Sequence, residues 1–188
     1  MPAYVGHRLK FTYEDLLAIP EDDPYRHEIL DGMHVASPSP VYRHQTISRR
    51  IQYQLFAQIE AKGAGEVVDA PMDVELGTYD IVEPDIFVVL AGNGRVTIDT
   101  IVHGTPDLII EILSPSTADR DRTIKLERYE ESGVPEYWIV DPETENVAVY
   151  RYDGAAGRYA APEFYRERLQ YRSGEVDAEV DLLQVWMP

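Results

Sequence analysis

The chain has 188 residues, 44% of them hydrophobic, which suits one domain with a real core. It contains no cysteine, excluding disulfides and cysteine-ligated zinc, and its longest apolar runs fall short of a membrane span or a signal sequence, so a soluble cytoplasmic protein is expected. Acids outnumber Lys and Arg 34 to 17, a net charge of −17, so attraction to phosphate backbones is weak unless the basic residues cluster or metal ions intervene.

Thr12 and Asp15 stand at capping-box spacing, predicting a short helix over 12–19 that Pro20 ends. The polar stretch 21–24 is a turn. Residues 25–30 and 33–37 read as a hairpin around Asp31-Gly32, broken by Pro38 and Pro40. Ile47, Ile51, Leu55 and Ile59 recur every four residues, which predicts a long helix over 41–61 with one buried stripe, closed by Gly63 and Gly65. Three strands follow, at 66–76, 81–90 and 106–113. The first alternates like a half-exposed strand; the other two are nearly solid apolar, as central strands are. Residues 114–117 cap a second helix, about 119–132, which Gly133 stops. Residues 136–140 form another strand, 141–146 a turn, and 147–152 the returning strand. From Asp153 short strands and turns lead to the apolar stretch 182–186.

The order helix–strand–strand–strand–helix–strand, with hairpins at both ends, predicts an α/β or α+β fold around a mixed sheet. The expected division is a single domain, 1–188. Its core covers about 41–141, its N-terminal helix and hairpin 10–37, and its C-terminal β extension 145–186.

Two carboxylates fall inside strands that ought to be dry. Side chains alternate along a strand, so Asp85 shares a face with Phe87 and Val89, and Glu111 with Ile109 and Leu113. A lone buried carboxylate is costly or takes up a proton, so each acid calls for a cation: an Arg or Lys, or a metal. On adjacent strands the two acids meet across a ladder, within range of one Mg²⁺ or Mn²⁺. Such ions take oxygen ligands, including backbone carbonyls such as that of Ile112. Asp121, Lys125 and Tyr129 stand at successive i, i+4 positions, either as a solvated ladder or as a set aimed over the end of the sheet. His44 lies near the buried stripe of its helix, where a core role and a site role are both open.

Pro84-Asp85 and Glu111, on the second and third strands of such a core, resemble the PD-(D/E)XK nuclease superfamily. More narrowly, the block Asp107-Leu108-Ile109-Ile110-Glu111-Ile112-Leu113-Ser114-Pro115-Ser116-Thr117 is similar to the Uma family of restriction endonucleases. So are Asp119-Arg120, Lys125, Tyr129 and Gly133-Val134-Pro135-Glu136-Tyr137-Trp138-Ile139-Val140-Asp141-Pro142. Arg26-His27-Glu28-Ile29-Leu30-Asp31-Gly32, Ser37-Pro38 and His44 extend the likeness to roughly residues 10–150.

The resemblance implies a restriction-endonuclease-like fold and metal-dependent phosphodiester hydrolysis, with DNA as the expected nucleic acid. It implies a Mg²⁺ or Mn²⁺ bound by Asp85 and Glu111, and Glu28 as a further acid nearby. Lys125 stands in for the superfamily lysine two residues after the glutamate, a place this chain fills with Leu113, a departure the Uma family shares. His44 and Tyr129 are candidates for contact with substrate. Arg43, Arg49, Arg50, Arg120, Arg122 and Arg128 flank the site in sequence, as a basic rim or as helix positions paired with acids. A homodimer through the Tyr-rich C-terminal hairpins would suit double-strand cleavage; the same hairpins also fit packing on their own domain. The net charge and Leu113 keep a second reading open, a nuclease fold serving as a silent interaction module. A metal-free acid pair of the glycosidase type is a third, and it predicts an aromatic-lined, sugar-sized cleft.

Overall fold

The computed structural model describes residues 9–20 and 22–187; Glu21, in the expected polar turn, lies outside them. Asp15 accepts the Thr12 N–H at 2.8 Å and starts α1 (Tyr13–Leu16). Strands β1 (Arg26–Leu30) and β2 (Met33–Ser37) form the predicted hairpin, with φ of 49° at Asp31 and 73° at Gly32, the pair of positive values a two-residue turn requires. Helix α2 (Tyr42–Gln58) continues into a 3₁₀ turn, Glu60–Lys62.

The three expected central strands are more divided than their hydrophobic patterns imply. The stretch 66–76 becomes β3 (Gly65–Asp69) and β4 (Val74–Gly77); the stretch 81–90 becomes β5 (Asp80–Val82) and β6 (Ile86–Leu90). Pro71 and Pro84 sit in the two gaps, where a residue without an N–H interrupts the ladder. The link that follows carries β7 (Val96–Ile98) and β8 (Val102–Gly104) before β9 (Leu108–Ile112).

The expected second helix is also two pieces, α3 (Ala118–Arg122) and α4 (Ile124–Glu131), broken at Thr123 with φ −125° and ψ −83°. After β10 (Glu136–Asp141) come β11 (Asn146–Asp153), β12 (Arg158–Tyr159), β13 (Glu163–Tyr165), β14 (Arg168–Ser173) and β15 (Val176–Asp181). The apolar end is a helix, α5 (Leu182–Trp186), capped by Asp181 through the Leu183 N–H.

The central sheet runs β12-β11-β10-β9-β6-β3, with β13 also on β11. Its β9–β10 pair is parallel and its other pairs antiparallel, so the sheet is mixed as predicted. The core order is α2, β3, β6, β9, α3 with α4, then β10. A second sheet, β2-β1-β5-β4-β8-β7, takes the fragments that the prolines split off together with the N-terminal hairpin.

Three layers result. On one face of the central sheet, Ile47, Ile51, Leu55 and Ile59 of α2 pack with Ile86, Val88, Ile110 and Ile112. The C-terminal hairpin and α5 join this layer through Leu169, Tyr171, Val180 and Val185. Each fully buried aliphatic side chain contributes roughly 1.5–3 kcal/mol. Gln54 and Gln58 fasten β15 to the helix, their amides bonding both ways with the backbones of Asp181 and Glu179. The Tyr171 side of that hairpin therefore serves the chain's own core. On the opposite face, Phe87 and Ile109 meet Tyr129 and Tyr137, together with Leu30, Val82 and Val102 of the second sheet. No helix among the described residues is long and apolar enough to cross a membrane.

Candidate active site

Ile86 pairs with Ile110 in the antiparallel β6–β9 ladder, so Asp85 and Glu111 are the next residues at its end. Asp85 sits on the bend before β6 rather than inside the strand, because Pro84 has ended the pairing there. It is released from the face of Phe87 and turns across the strand end. Its Oδ2 accepts the Ile112 N–H at 2.8 Å and lies 2.9 Å from His44 Nε2. Its Oδ1 accepts from Arg26 at 3.1 Å. Ile112 thus engages Asp85 through its N–H.

Glu111 stays in register and points toward α4 with Ile109. Its Oε1 accepts from Lys125 Nζ at 2.7 Å and from Tyr129 Oη at 2.6 Å. Lys125 also lies 2.8 Å from Glu28 Oε1 and 3.9 Å from Asp121 Oδ1. The row Asp121, Lys125, Tyr129 is therefore no solvated ladder; its members are 2%, 3% and 0% exposed. Alternation along β1 puts Arg26, Glu28 and Leu30 on the side facing the central sheet. Glu28 additionally accepts the Glu83 N–H at 3.0 Å.

The side chains expected at the site, Glu28, His44, Asp85, Glu111, Lys125 and Tyr129, belong to this one network, and Asp121 of the same helical row stands beside Lys125. Arg26 and Glu83 belong to it too and were not singled out. The signal for Arg26 was its place two residues before Glu28 on the same strand face. Glu83 lies between two strands, where no periodicity marks it.

The two central acids differ electrostatically. Burial works against charging Asp85, but His44, Arg26 and the Ile112 N–H outweigh it and hold the carboxyl below its usual range. Burial pushes the Glu111 carboxyl up to about 8; Lys125 pulls it back, while Asp121, Asp85 and Glu28 add to the rise. Burial also raises Asp121. For Lys125 burial opposes the charge, and Glu111, Glu28 and Asp121 overcome it and hold its pKa up.

These groups line a cleft of about 280 Å³, walled by residues 37–41 after β2 and 114–117 after β9. Five carboxyl groups, Glu28, Glu83, Asp85, Glu111 and Asp121, line it with three permanent cations, Arg26, Arg120 and Lys125. Among the described residues, three buried polar atoms of the lining have no hydrogen-bond partner: His44 Nδ1, Arg120 Nε and Asp121 Oδ1. Each such atom costs roughly 1–3 kcal/mol.

The donor set fits a hard divalent cation. Mg²⁺ is commonly held by one or two carboxylates, its shell completed by waters and substrate phosphate. Asp85 and Glu111 supply two, the acids exceed the cations, and Glu111 Oε2 carries no hydrogen bond among the described residues. No group of three His, Cys, Asp or Glu side chains among the described residues is placed to hold a metal ion, so waters or substrate would have to complete the shell of any cation held by these two acids.

The six-arginine rim is narrower than its sequence suggests. Arg120 lines the cleft and donates to Ser37 Oγ at 2.6 Å. Arg43 and Arg122 stand at an adjoining hollow, paired with Glu145 and Asp141. Arg49 and Arg50 lie beside Tyr53 and Met187, and Arg128 pairs with Glu131.

A family model described as "Uma2: Putative restriction endonuclease" matches residues 13–182. Among solved structures, a crystal structure described as "a putative nuclease belonging to DUF820 from Anabaena variabilis" matches with a TM-score of 0.73. It has 21% sequence identity, with 94% of this chain and 97% of that chain covered, a likeness that establishes the fold. No curated protein matches the chain.

Proposed function

The chain belongs to the Uma2 family of restriction-endonuclease-like proteins, and on that footing we propose that it is a divalent-metal-dependent endonuclease acting on phosphodiester bonds, with DNA as the first substrate to test. The observation that carries this reading is the meeting of Asp85 and Glu111 at the end of one ladder, with Lys125 bonded to the glutamate at 2.7 Å. Asp85 and Glu111 would hold Mg²⁺ or Mn²⁺, with the Ile112 carbonyl a further candidate ligand. The ion, when bound, supplies Lewis acidity toward a phosphate oxygen and lowers the pKa of water.

The remaining work falls to the chain. His44 and Arg26 keep Asp85 anionic and fixed. Tyr129 donates to Glu111 and orients it. With a cation held by Asp85 and Glu111, Lys125 would keep its charge against Glu28 and would stabilise negative charge developing on the phosphoryl group. Glu28 anchors that ammonium. His44, which lines the cleft, is a candidate for contact with substrate; Tyr129, expected in the same role, is fully buried outside the cleft lining and bonds Glu111.

A second reading has an observation of its own. Arg26 and Lys125 already neutralise Asp85 and Glu111 from within, as in a nuclease fold retained for interaction. Calorimetry with Mn²⁺ separates the two. Binding near millimolar or tighter, about −4 kcal/mol, lost in Asp85→Asn, supports the nuclease. Equal binding by both proteins, or none by either, refutes the Asp85 site and leaves the interaction module.

A further inference from the structure

Beside the cleft opens a second hollow of about 430 Å³, and the two share Val41, His44, Ser114 and Pro115. Leu113, Pro115, Ala118 and Pro142 make it largely apolar, and Arg43 and Arg122 border it together with Asp141 and Glu143. Both arginines are half-exposed, at 47% and 46%, and their partners Glu145 and Asp141 lie 3.2 and 2.8 Å away. The Arg43–Glu145 pair lies near water on both sides, where such pairs are weak, so exchanging its carboxylate for a phosphate costs little.

The rest of the chain is poorly equipped to hold a duplex. Binding a continuous double helix draws on many cationic contacts along the phosphate track, and this chain has a net charge of −17. Arg49, Arg50 and Arg128 face elsewhere, leaving four arginines near the cleft and hollow, Arg26, Arg43, Arg120 and Arg122, and Arg26 is already engaged by Asp85 and Glu83. The acids a scissile phosphate must meet are only 3–5% exposed, so the phosphate has to enter the cleft. An unpaired strand, unlike a duplex, can bend into a cleft and lay a base against the protein while cationic side chains meet its nearest phosphates.

Resting on the nuclease reading above, we infer that the hollow receives the base of an unpaired nucleotide next to the scissile phosphate, with Arg43 and Arg122 on its backbone. The substrate is then single-stranded nucleic acid or an unpaired end, not continuous duplex.

The test is fluorescence anisotropy of the whole chain with a short labelled single-stranded DNA and with the same sequence as a blunt duplex, in EDTA and in Mg²⁺. The expected result is single-strand binding at least about tenfold tighter than duplex binding. The double variant Arg43→Gln/Arg122→Gln should weaken it about tenfold and reduce the log–log salt slope by about 1.4, two phosphate contacts' worth. Ala118→Trp, which fills the hollow, should abolish single-strand binding and leave Mn²⁺ binding unchanged. Duplex binding of equal strength, insensitivity to the arginine pair, or no binding of either DNA overturns the inference. The two readings fail separately. If Mn²⁺ does not bind but single-strand binding follows this pattern, the nuclease reading falls and the hollow stands. If duplex is cut in Mn²⁺ with no preference for unpaired strands, the hollow falls and the nuclease stands.

Discussion

Replacing Lys125 by Met removes the ammonium that joins Glu28, Glu111 and Asp121 while keeping a side chain of similar length. Its three partners are 4%, 3% and 2% exposed, at 2.8, 2.7 and 3.9 Å from Nζ. Breaking a buried pair from one side strands the other charge, at about 3–5 kcal/mol. The acids can escape part of that cost by protonating. A carboxyl raised in the folded state keeps its proton where the unfolded chain has lost it, so stability falls as pH rises between the two values. Glu111 already lies near 8 and Asp121 is raised in the same direction, and removing the lysine lifts both further. Urea denaturation should therefore give a loss of about 3–5 kcal/mol at pH 8, shrinking to roughly 1–2 kcal/mol near pH 5. Lys125→Arg should lose less at pH 8, and Lys125→Met/Glu111→Gln should recover part of the loss. A Lys125→Met protein as stable as wild type at pH 8, or one whose deficit does not shrink on acidification, refutes the account of a desolvated charge cluster.

Glu111→Gln tests the same raised group without disturbing its shape. Between the usual carboxylate range and about 8, the folded protein binds the Glu111 proton and the unfolded chain does not. Wild-type stability should then decline by a few kcal/mol on going from about pH 5 to pH 9, and the variant should show a flatter profile in the same denaturation series. His44→Ala leaves Asp85 with Arg26 and the Ile112 N–H but without its ring partner at 2.9 Å. Loss of an orienting partner of this kind weakens a metal site roughly 10–100-fold, which Mn²⁺ calorimetry reads directly; unchanged affinity would mean that His44 does not position Asp85.

The elements of the core each left their own trace in the sequence. The four-residue recurrence of Ile47, Ile51, Leu55 and Ile59 specifies α2 because that stripe has no other way to leave water. The solid apolar run of β9 specifies a strand covered on both faces, and five of its five residues are buried. The division into two sheets left no such trace. β5 and β6 are similar apolar pieces of one run, and their separation depends on β1 pairing with β5 and β9 with β6, contacts distant in sequence. Pro71 and Pro84 mark where the chain changes sheet, but a proline announces a break without saying where the next strand goes.

The same limit explains the site. Lys125 on a helix reads as solvated because polar groups usually are, and Glu28 on a hairpin reads as outward just as easily as inward. Neither is settled by its own element; each is settled by the other, since a buried ammonium and buried carboxylates are tolerable only together. Leu113 completes the argument. It stands two residues after Glu111, where the resemblance leads one to expect a lysine, and is 7% exposed, packed in the same cluster as Ile109 and Tyr129. The next layer, α4, brings Lys125 within 2.7 Å of Glu111 from outside the strand. A lysine delivered this way reaches the glutamate while the strand keeps an apolar residue at its end.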